Sequence, residues 1–173
     1  ETGKVRTVGV SHSSAAQMRQ AHAALAKRGL PLASNQVEYS LLKRSADVNG
    51  VMEACRELGV TLIAYTPLAA GMLSGKYSAG EAAKGLRRFL PNFSRNGRKA
   101  AAPVVELLKR IGERHGKTPA QVALRWLIEN PVVLPIPGAK NASQAEQNAG
   151  ALTFSLTADE VAELDRATVA WKK

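Results

Sequence analysis

Residues 60–67, with the sequence VTLIAYTP, contain the clearest strand signal in the chain. The run 60–65 is short, apolar and rich in β-branched residues, as is typical of a buried strand in a parallel sheet. It ends at Pro67, because proline lacks the N–H group that a sheet ladder needs. Further strands are predicted at residues 5–10, 32–37 and 132–136. The first of these also has the character of a buried strand.

Helical patterns separate these strands. Apolar residues recur at helical spacing in six segments, which begin with a capping residue or end at glycine. These predicted helices cover residues 13–27, 46–58 and 102–115 and begin at Thr118, Asn141 and Thr157. Alternating strands and helices favour an α/β fold with a parallel sheet.

The length limits which α/β fold the chain can form. Its 173 residues allow a single domain of about four β/α units over residues 1–173. A doubly wound sheet or part of a (β/α)8 barrel would fit. A complete barrel takes roughly 250 residues, so eight units are excluded.

The composition excludes several classes of protein. Hydrophobic residues make up 45% of the chain, which indicates a globular protein rather than a disordered one. Cys55 is the single cysteine, so a disulfide framework is excluded and a reducing, intracellular compartment is favoured. No apolar run reaches the ~18–20 residues of a membrane span. The first residues contain neither a methionine nor a secretory leader, so we expect a removed leader or a fragment.

One segment of this basic chain, which has a formal net charge of +10, contains no carboxylate. It lies between Glu81 and Glu106, and its Gly, Pro and Asn residues predict a loop rather than a helix face. Its basic residues are Lys84, Arg87, Arg88, Arg95, Arg98 and Lys99. Such a loop could contact the phosphates of RNA or of a dinucleotide, or be a solvated surface. It lacks the repeated aromatic residues of a base-stacking platform, so nucleic-acid binding is not expected.

Several familiar catalytic patterns are absent from the sequence. There is no G-x-G-x-x-G dinucleotide fingerprint and no G-x-S-x-G hydrolase motif. No metal site is predicted, because His12, His22 and His115 lack partners at ligand spacing. Cys55 lies on an apolar helix face and is expected in the core. The segment GMLSGKY, which contains Lys76, does not have the spacing of a P-loop, although its small residues and lysine suit a phosphate.

Polar residues follow the predicted strands. The carboxyl ends of parallel strands meet at one edge of a sheet, where α/β proteins bind their ligands. The residues expected to converge there are 11–12, 35–36, 65–68 and 137–140. The sequence therefore predicts a ligand site at this edge, although turn chemistry explains part of the pattern.

At these positions the chain resembles the aldo-keto reductases. The similar segments occur in order between about residues 3 and 165, and they are 3–11, 35–39, 64–68, 75–77 and 135–140. The resemblance is to the branch with plastid and bacterial NADP-dependent oxidoreductases and potassium-channel β subunits. It implies a partial (β/α)8 barrel, in which this chain forms the C-terminal half with strands five to eight. It also implies NADPH as the cofactor, bound in an extended form.

The resemblance implies particular cofactor contacts. Gln36 and Ser11 would hold the nicotinamide carboxamide, and Tyr65 would stack on the ring. His12 stands where the family usually has asparagine. The residues implied along the pyrophosphate are Thr66, Pro67, Leu68, Ala69 and Lys76. Those implied at the other end of the cofactor, around the 2′-phosphate, ribose and adenine, are Gly138, Lys140, Gln144, Gln147 and Asn148. The basic loop would fold over the cofactor through Arg87 or Arg88.

The family reduces carbonyl compounds to alcohols by hydride transfer from NADPH. Its catalytic Asp, Tyr, Lys and His belong to the half of the barrel that this chain lacks, so no catalytic residue is assigned here. The alternatives are a non-catalytic nucleotide-binding or structural subunit derived from an aldo-keto reductase and, from charge alone, a basic RNA-binding scaffold. The substrate beyond a small carbonyl compound is not indicated.

The implied half barrel leads to expectations about partners and location. Four strands would leave two unpaired edges and an exposed inner face, which is an aggregation hazard. We therefore expect a homodimer, a partner chain that carries the other half, or a fragment of a longer protein. The expected location is intracellular, in the cytoplasm or a plastid.

Overall fold

A computed structural model describes residues 3–77 and 93–173. Its four strands are β1 (Val8–Ser11), β2 (Leu32–Glu38), β3 (Thr61–Tyr65) and β4 (Val133–Pro135). Its six α-helices are α1 (Ala15–Ala26), α2 (Val51–Leu58), α3 (Arg95–His115), α4 (Pro119–Ile128), α5 (Ala142–Ala149) and α6 (Ala158–Ala167). Short 3₁₀ turns occur at Ser45–Asp47, Ala69–Ser74, Gly150–Thr153 and Val169–Trp171. Within the described ranges, no helix is both long and apolar enough to cross a membrane.

The strands form one sheet in the order β1-β2-β3-β4, and every neighbouring pair is parallel. Ser11 is paired with Gln36, and Glu38 is paired with Tyr65. The carboxyl ends of β1, β2 and β3 therefore lie along one edge of the sheet. The α/β class and the parallel sheet expected from the sequence are confirmed.

The two faces of the sheet differ in burial. Leu62 and Ala64 of β3 point toward the helices and are 0% exposed. On the opposite face, Leu134 is 53% exposed and Ile136 just beyond β4 is 45% exposed. Successive side chains of a strand alternate between faces, so one face lies under helices. The described residues leave the other uncovered.

The hydrophobic core lies on the helix-covered side. Its largest fully buried side chains include Met18 from α1, Leu108 and Ile111 from α3, Leu124 and Leu127 from α4, and Leu164 from α6. Burying each such side chain contributes roughly 1.5–3 kcal/mol relative to exposure. This layer of helices against one sheet face provides the hydrophobic stabilisation of the described part.

A buried arginine joins the loop after β2 to the end of α6. Arg44 is 4% exposed, and its guanidinium lies 4.8 Å from the ring centre of Trp126. It is paired with Asp47 at 2.6 Å and with Asp165 at 2.9 Å, and it donates to Thr168 Oγ1 at 2.7 Å. These contacts fix the position of the segment that follows β2, because the charge has partners on two elements.

Two predicted helix boundaries are wrong. The helix expected at 46–58 is interrupted, since Gly50 has a φ of +81° and α2 begins only after it. The helix expected from residue 102 begins at Arg95, where the Ser94 hydroxyl accepts the Gly97 N–H at 3.0 Å. A serine cap, set among the glycine and asparagine residues of the basic segment, starts the helix earlier than its apolar pattern does.

The basic segment is therefore not a loop throughout. Arg95, Arg98 and Lys99 lie on α3, which corrects the prediction for these three residues. Lys84, Arg87 and Arg88, and with them the predicted closing of this segment over the cofactor, lie outside the described residues.

The first strand also differs from its prediction. It covers Val8–Ser11 rather than residues 5–10, and it forms an edge of the sheet. Val5 is 71% exposed, so this segment is not the buried strand that its β-branched residues predicted. Residue character indicates a strand, but it does not reveal whether another element covers it.

Candidate functional site

The backbone is unusual at the carboxyl ends of β1 and β3. Among the described residues, four that are not glycine have a positive φ, and they are His12, Thr66, Ala69 and Ala70, with φ between 49° and 57°. This left-handed conformation costs energy for residues with a β-carbon. Such residues cluster at ligand-binding and catalytic sites, where the surrounding structure holds them. The two strand ends are thus the first candidates for a functional site.

Ser11, Gln36 and Tyr65 lie close together on the uncovered face. The Ser11 hydroxyl donates to the Gln36 carbonyl oxygen at 3.1 Å, and the His12 N–H donates to the same oxygen at 3.0 Å. The rings of His12 and Tyr65 are 5.5 Å apart. Gln36 is paired with Ile63, two residues before Tyr65, so the side chains of Gln36 and Tyr65 share a face.

Asn35 does not belong to this group, contrary to the prediction. It is 0% exposed and lies on the helix side, because β2 continues to Glu38 and neighbouring residues point to opposite faces. Its Nδ2 donates to the Ser13 carbonyl oxygen at 2.9 Å, and its Oδ1 accepts the Ser13 N–H at 3.4 Å. Asn35 thereby positions the loop after β1, which carries His12.

A groove runs between the loop after β3 and the segment after β4. It consists of two adjoining cavities of about 350 and 340 Å³, which share Leu68, Gly71 and Gly138. Nine of the residues predicted for the cofactor line it, and they are Thr66, Pro67, Leu68, Lys76, Gly138, Lys140, Gln144, Gln147 and Asn148. The structure therefore brings together residues up to 82 positions apart in the chain, from Thr66 to Asn148.

The groove has the composition of an anion site. Among the residues described as lining it, Lys76 and Lys140 are cationic and none is a carboxylate. Gly71 has a φ of +101°, a conformation that glycine adopts without strain. The hydroxyl of Ser74 donates to the Gly71 carbonyl oxygen at 2.7 Å and stabilises this turn. Small residues, backbone groups and lysines together suit a phosphate.

Helix α5 begins at one end of the groove. Asn141 caps the helix by accepting the Gln144 N–H at 3.0 Å, and the Gln144 side chain accepts the Lys140 N–H at 2.9 Å. At the other end of the helix, Gln121 of α4 donates to the Gln147 carbonyl oxygen at 2.9 Å. The first turn of a helix favours negative charge, and Lys140 adds to this preference.

Ala69 lies apart from the other predicted contacts. Its side chain is buried and lines a different cavity of about 740 Å³, which we call the lysine cavity. The lysine cavity is lined by Glu38, Leu42, Lys43, Thr66, Ala69, Ala70, Phe93, Ala100, Ala170, Trp171 and Lys173. It shares Thr66 and Ala70 with the groove, so the two spaces lie on either side of the loop after β3.

The tyrosines have different environments. Burial, with the nearby charge of Glu38, raises the pKa of the Tyr65 hydroxyl, so Tyr65 is a neutral aromatic ring at physiological pH. Tyr39 is buried and donates to Asp47 Oδ1 at 2.6 Å. Burial and this carboxylate raise its pKa as well. Tyr39 is therefore a core residue, and its hydroxyl group does not provide a proton donor at the carboxyl ends of the strands.

Other nucleophilic and metal-binding groups do not form a site in the described structure. Cys55 is fully buried, and burial raises the pKa of its thiol to about 11. It is thus an inert core residue, as expected from its helix face. In the ranges 3–77 and 93–173, no group of three or more His, Cys, Asp or Glu side chains could hold a metal ion. His115 instead pairs with Glu160 at 2.9 Å.

Some residues of the groove were not anticipated from the sequence. Thr118 and Ala120 at the start of α4 line it, as does Tyr77. The Thr118 capping pattern predicted the start of a helix, but not that this helix start lies against the loop after β3. Only the tertiary arrangement reveals this, since the two segments are about 50 residues apart.

The chain is similar in sequence to known proteins along nearly its whole length. The sequence model of the aldo/keto reductase family matches residues 1–168. The chain is 40% identical over 165 residues to aldo-keto reductase str7 of Strobilurus tenacellus, covering 92% of this chain and 48% of that protein. It is 41% identical over 172 residues to the chloroplastic pyridoxal reductase of Arabidopsis thaliana, covering 96% of this chain and 45% of that protein. The chain thus spans about half the length of these curated relatives.

Solved structures agree in fold. The thermostable aldo-keto reductase Tm1743, solved with the inhibitor epalrestat, matches with a TM-score of 0.72 and 26% identity over 95% of this chain and 49% of that chain. Glycerol dehydrogenase AKR11B4 from Gluconobacter oxydans matches with a TM-score of 0.81 and 24% identity over 96% of this chain and 51% of that chain. The second likeness concerns the fold alone.

Proposed function

The chain belongs to the aldo/keto reductase family, and from this we propose that it binds NADPH for the reduction of a carbonyl compound to an alcohol. The observation that carries the proposal is the groove between the loop after β3 and helix α5. It joins small loop residues, two lysines and a helix start without a carboxylate among its described lining. An extended dinucleotide with several phosphates is the ligand that suits such a groove.

Each part of the proposed cofactor has residues that fit it. Gln36 and Ser11 would hold the nicotinamide carboxamide, and the half-buried ring of Tyr65 would stack on the nicotinamide. The pyrophosphate would lie along the loop after β3 beside Lys76. At the start of α5, Lys140 and the helix N-terminus would hold the 2′-phosphate. Gln144 would bind the ribose, and Gln147 and Asn148 the adenine.

Ala69 has a more limited role than the other loop residues. Its side chain faces the lysine cavity, so only its backbone is available to the groove.

When bound, NADPH supplies a hydride for the carbonyl carbon, while a proton is added to the carbonyl oxygen. The residues of this chain would bind and orient the cofactor at the strand ends.

We further propose that the chain is the C-terminal half of a (β/α)8 barrel, with strands five to eight. The parallel four-stranded sheet and the half-length match to relatives support this. The catalytic Asp, Tyr, Lys and His would then belong to the complementary half. This fits Tyr39, which is buried against Asp47, and Tyr65, which we assign to stacking on the nicotinamide.

The uncovered sheet face favours a partner that completes the barrel, either a second copy or a chain with the complementary half. Exposed Leu134 and Ile136 lie on this face, and exposed apolar groups beside a free strand edge promote association. Light scattering coupled to size exclusion is expected to give a dimer or a complex. A well-folded monomer that remains soluble at high concentration would contradict this proposal.

An intracellular location, in the cytoplasm or a plastid, is also proposed. It is supported by the single buried cysteine and by the chloroplastic relative. Imaging of the gene product with a C-terminal fluorescent tag would test it. Secretion of the tagged protein would contradict it.

Titration of the purified chain with NADPH and NADH tests the cofactor proposal, with tryptophan fluorescence as the readout. We expect saturable binding that is about tenfold tighter for NADPH, because the 2′-phosphate gains Lys140 and the start of α5. Tyr65→Ala should weaken binding about tenfold, whereas Tyr65→Phe keeps the aromatic face and the affinity.

Lysine variants provide the matched control for this titration. Lys140→Met should remove the preference for NADPH, whereas Lys27→Met, at the exposed end of α1, should not change it. Equal affinity for NADPH and NADH in the unmodified chain, or binding unaffected by Tyr65→Ala, would contradict the assigned contacts.

A further inference from the structure

We propose that the lysine cavity binds the distal part of an anionic carbonyl substrate, whose acid group lies at Lys43 while its carbonyl end points toward Tyr65. This inference rests on the proposed function, since it names the substrate class for the same site. The cavity of about 740 Å³ is within the usual size range of small-molecule sites, roughly 300–1,000 Å³.

The position of the cavity relates it to the proposed nicotinamide site. Glu38 is paired with Tyr65 in the sheet, and Thr66 follows Tyr65 in the chain. Both neighbours of Tyr65 line the lysine cavity. The cofactor groove lies on the other side of the loop after β3. A molecule in the cavity would therefore approach the nicotinamide ring, stacked on Tyr65, without entering the groove that would hold the cofactor phosphates.

The walls of the cavity are mostly apolar and well supported. Leu42, Ala69 and Phe93 contribute buried side chains. Trp171 is held beside them, because its carbonyl oxygen accepts the Arg44 N–H at 2.9 Å. Apolar and aromatic walls with a few charged groups are typical of small-molecule sites, and they suit an aliphatic or aromatic body.

Lys43 is fixed at the mouth of the cavity by its backbone. Its N–H donates to the Ser40 carbonyl oxygen at 3.0 Å, and its own carbonyl oxygen accepts the Ser40 N–H at 3.1 Å. The next residue is the buried Arg44. The Lys43 side chain is exposed, and no ion pair of Lys43 is found among the described residues. Its ammonium group is thus available to an anion, and Lys173 adds a second lysine to the lining.

The charges in the cavity also give the ligand a direction. Glu38 is the single carboxylate side chain among the described lining residues, and its register partner is Tyr65. It would repel an acid group at this inner end, whereas Lys43 attracts one at the mouth. A neutral carbonyl group at the inner end and a carboxylate or phosphate at the mouth satisfy both charges.

The test compares two aldehydes that differ by one charge, 4-carboxybenzaldehyde and its methyl ester, by ligand-observed NMR titration of the chain. We expect the acid to bind roughly fivefold more tightly than the ester, as for an ion pair at a partly exposed site. Lys43→Met should abolish this difference, and Lys43→Arg should retain it. The control Lys27→Met should leave it unchanged. Glu38→Gln should increase the affinity for the acid, because the repulsion is removed.

The outcomes separate this inference from the proposed function. Equal affinity for acid and ester, an unchanged difference in Lys43→Met, or no binding of either aldehyde to a chain that binds NADPH overturns the inference alone. Failure of NADPH to bind, in the separate titration, overturns the cofactor proposal, whatever the aldehydes do. The acid preference together with its loss in Lys43→Met supports the assignment.

Discussion

The two faces of the sheet divide the molecule into a part that stabilises it and a part that carries its candidate sites. On the helix-covered face, Leu62, Ala64 and Asn35 are fully buried, and the large apolar side chains of the helices pack against them. On the uncovered face, Gln36 and Tyr65 are only partly buried. Side chains of the same strands therefore have separate tasks, because successive side chains alternate between the two faces.

The helix-covered side gives the largest expected effect, at Arg44. Arg44→Ala removes a buried charge and leaves Asp47 and Asp165 without their cationic partner. Breaking such a pair costs about 3–5 kcal/mol of unfolding free energy. Urea denaturation followed by circular dichroism measures it. The variant Arg19→Ala, which breaks a solvent-exposed pair with Glu57, is the control and should leave the free energy of unfolding nearly unchanged. Similar losses in both variants would contradict a special role for the buried network.

A paired substitution in β3 compares the two faces directly. Leu62→Ala is expected to lower the free energy of unfolding by about 2–5 kcal/mol, because a fully buried side chain leaves a cavity in the core. Its neighbour Ile63 points to the uncovered face, so in the dissociated chain, at protein concentrations too low for association, Ile63→Ala should cost about 1 kcal/mol or less. Equal costs under these conditions would show that the second face is also packed within a single chain, and the comparison would fail.

The smallest expected effect concerns the pH dependence of the helix side. Glu160 caps α6, accepts the Thr157 N–H at 2.9 Å and pairs with His115. Burial opposes its ionisation, but these hydrogen bonds and the His115 contact outweigh burial and hold its pKa below the usual value. Because the folded pKa is lower than the unfolded one, Glu160 stabilises the fold above about pH 4.3 and loses this contribution as the pH falls further.

Glu160→Gln tests this dependence. At neutral pH it should cost about 1 kcal/mol, and the unmodified chain should lose this advantage over the variant in acid. The partly exposed Glu163, which is paired with Arg110, provides a matched control, since Glu163→Gln should change the unfolding free energy by less than about 0.5 kcal/mol. If the difference in unfolding free energy between the unmodified chain and Glu160→Gln did not depend on pH, ionisation of Glu160 would not be its cause.

The sequence predicted the sheet better than the ends of its helices. All four strands overlap their predicted segments, although β1 begins three residues later than expected, and the capping residues Thr118, Asn141 and Thr157 located three helix starts. Two other helices begin at residues that the apolar pattern does not predict. The positive φ of Gly50 delays the start of α2, and the Ser94 cap moves the start of α3 to an earlier residue. The exposure of β1 depends on which elements pack against this edge strand, and the local sequence does not contain that information.

The candidate site was predictable where residues stay close in sequence to a strand end. Leu68, Lys76 and Lys140, which were predicted as cofactor contacts, line the groove. Asn35 was misplaced, since alternation within β2 turns its side chain toward α1 while its neighbour Gln36 points to the other face. Ala69 lines the lysine cavity, because positive φ values twist the loop after β3. Such departures arise from backbone geometry that the side-chain pattern does not encode.

Hydrogen–deuterium exchange of the chain with and without NADPH tests the division between the two regions most directly. We expect slower exchange for amides of residues 66–75 and 138–148, which surround the groove. Exchange in α2 and in residues 122–127 of α4 should change little, because these parts of the two helices do not line the groove. Protection spread evenly over the helices, or none in the loop after β3 at saturating NADPH, would contradict the account.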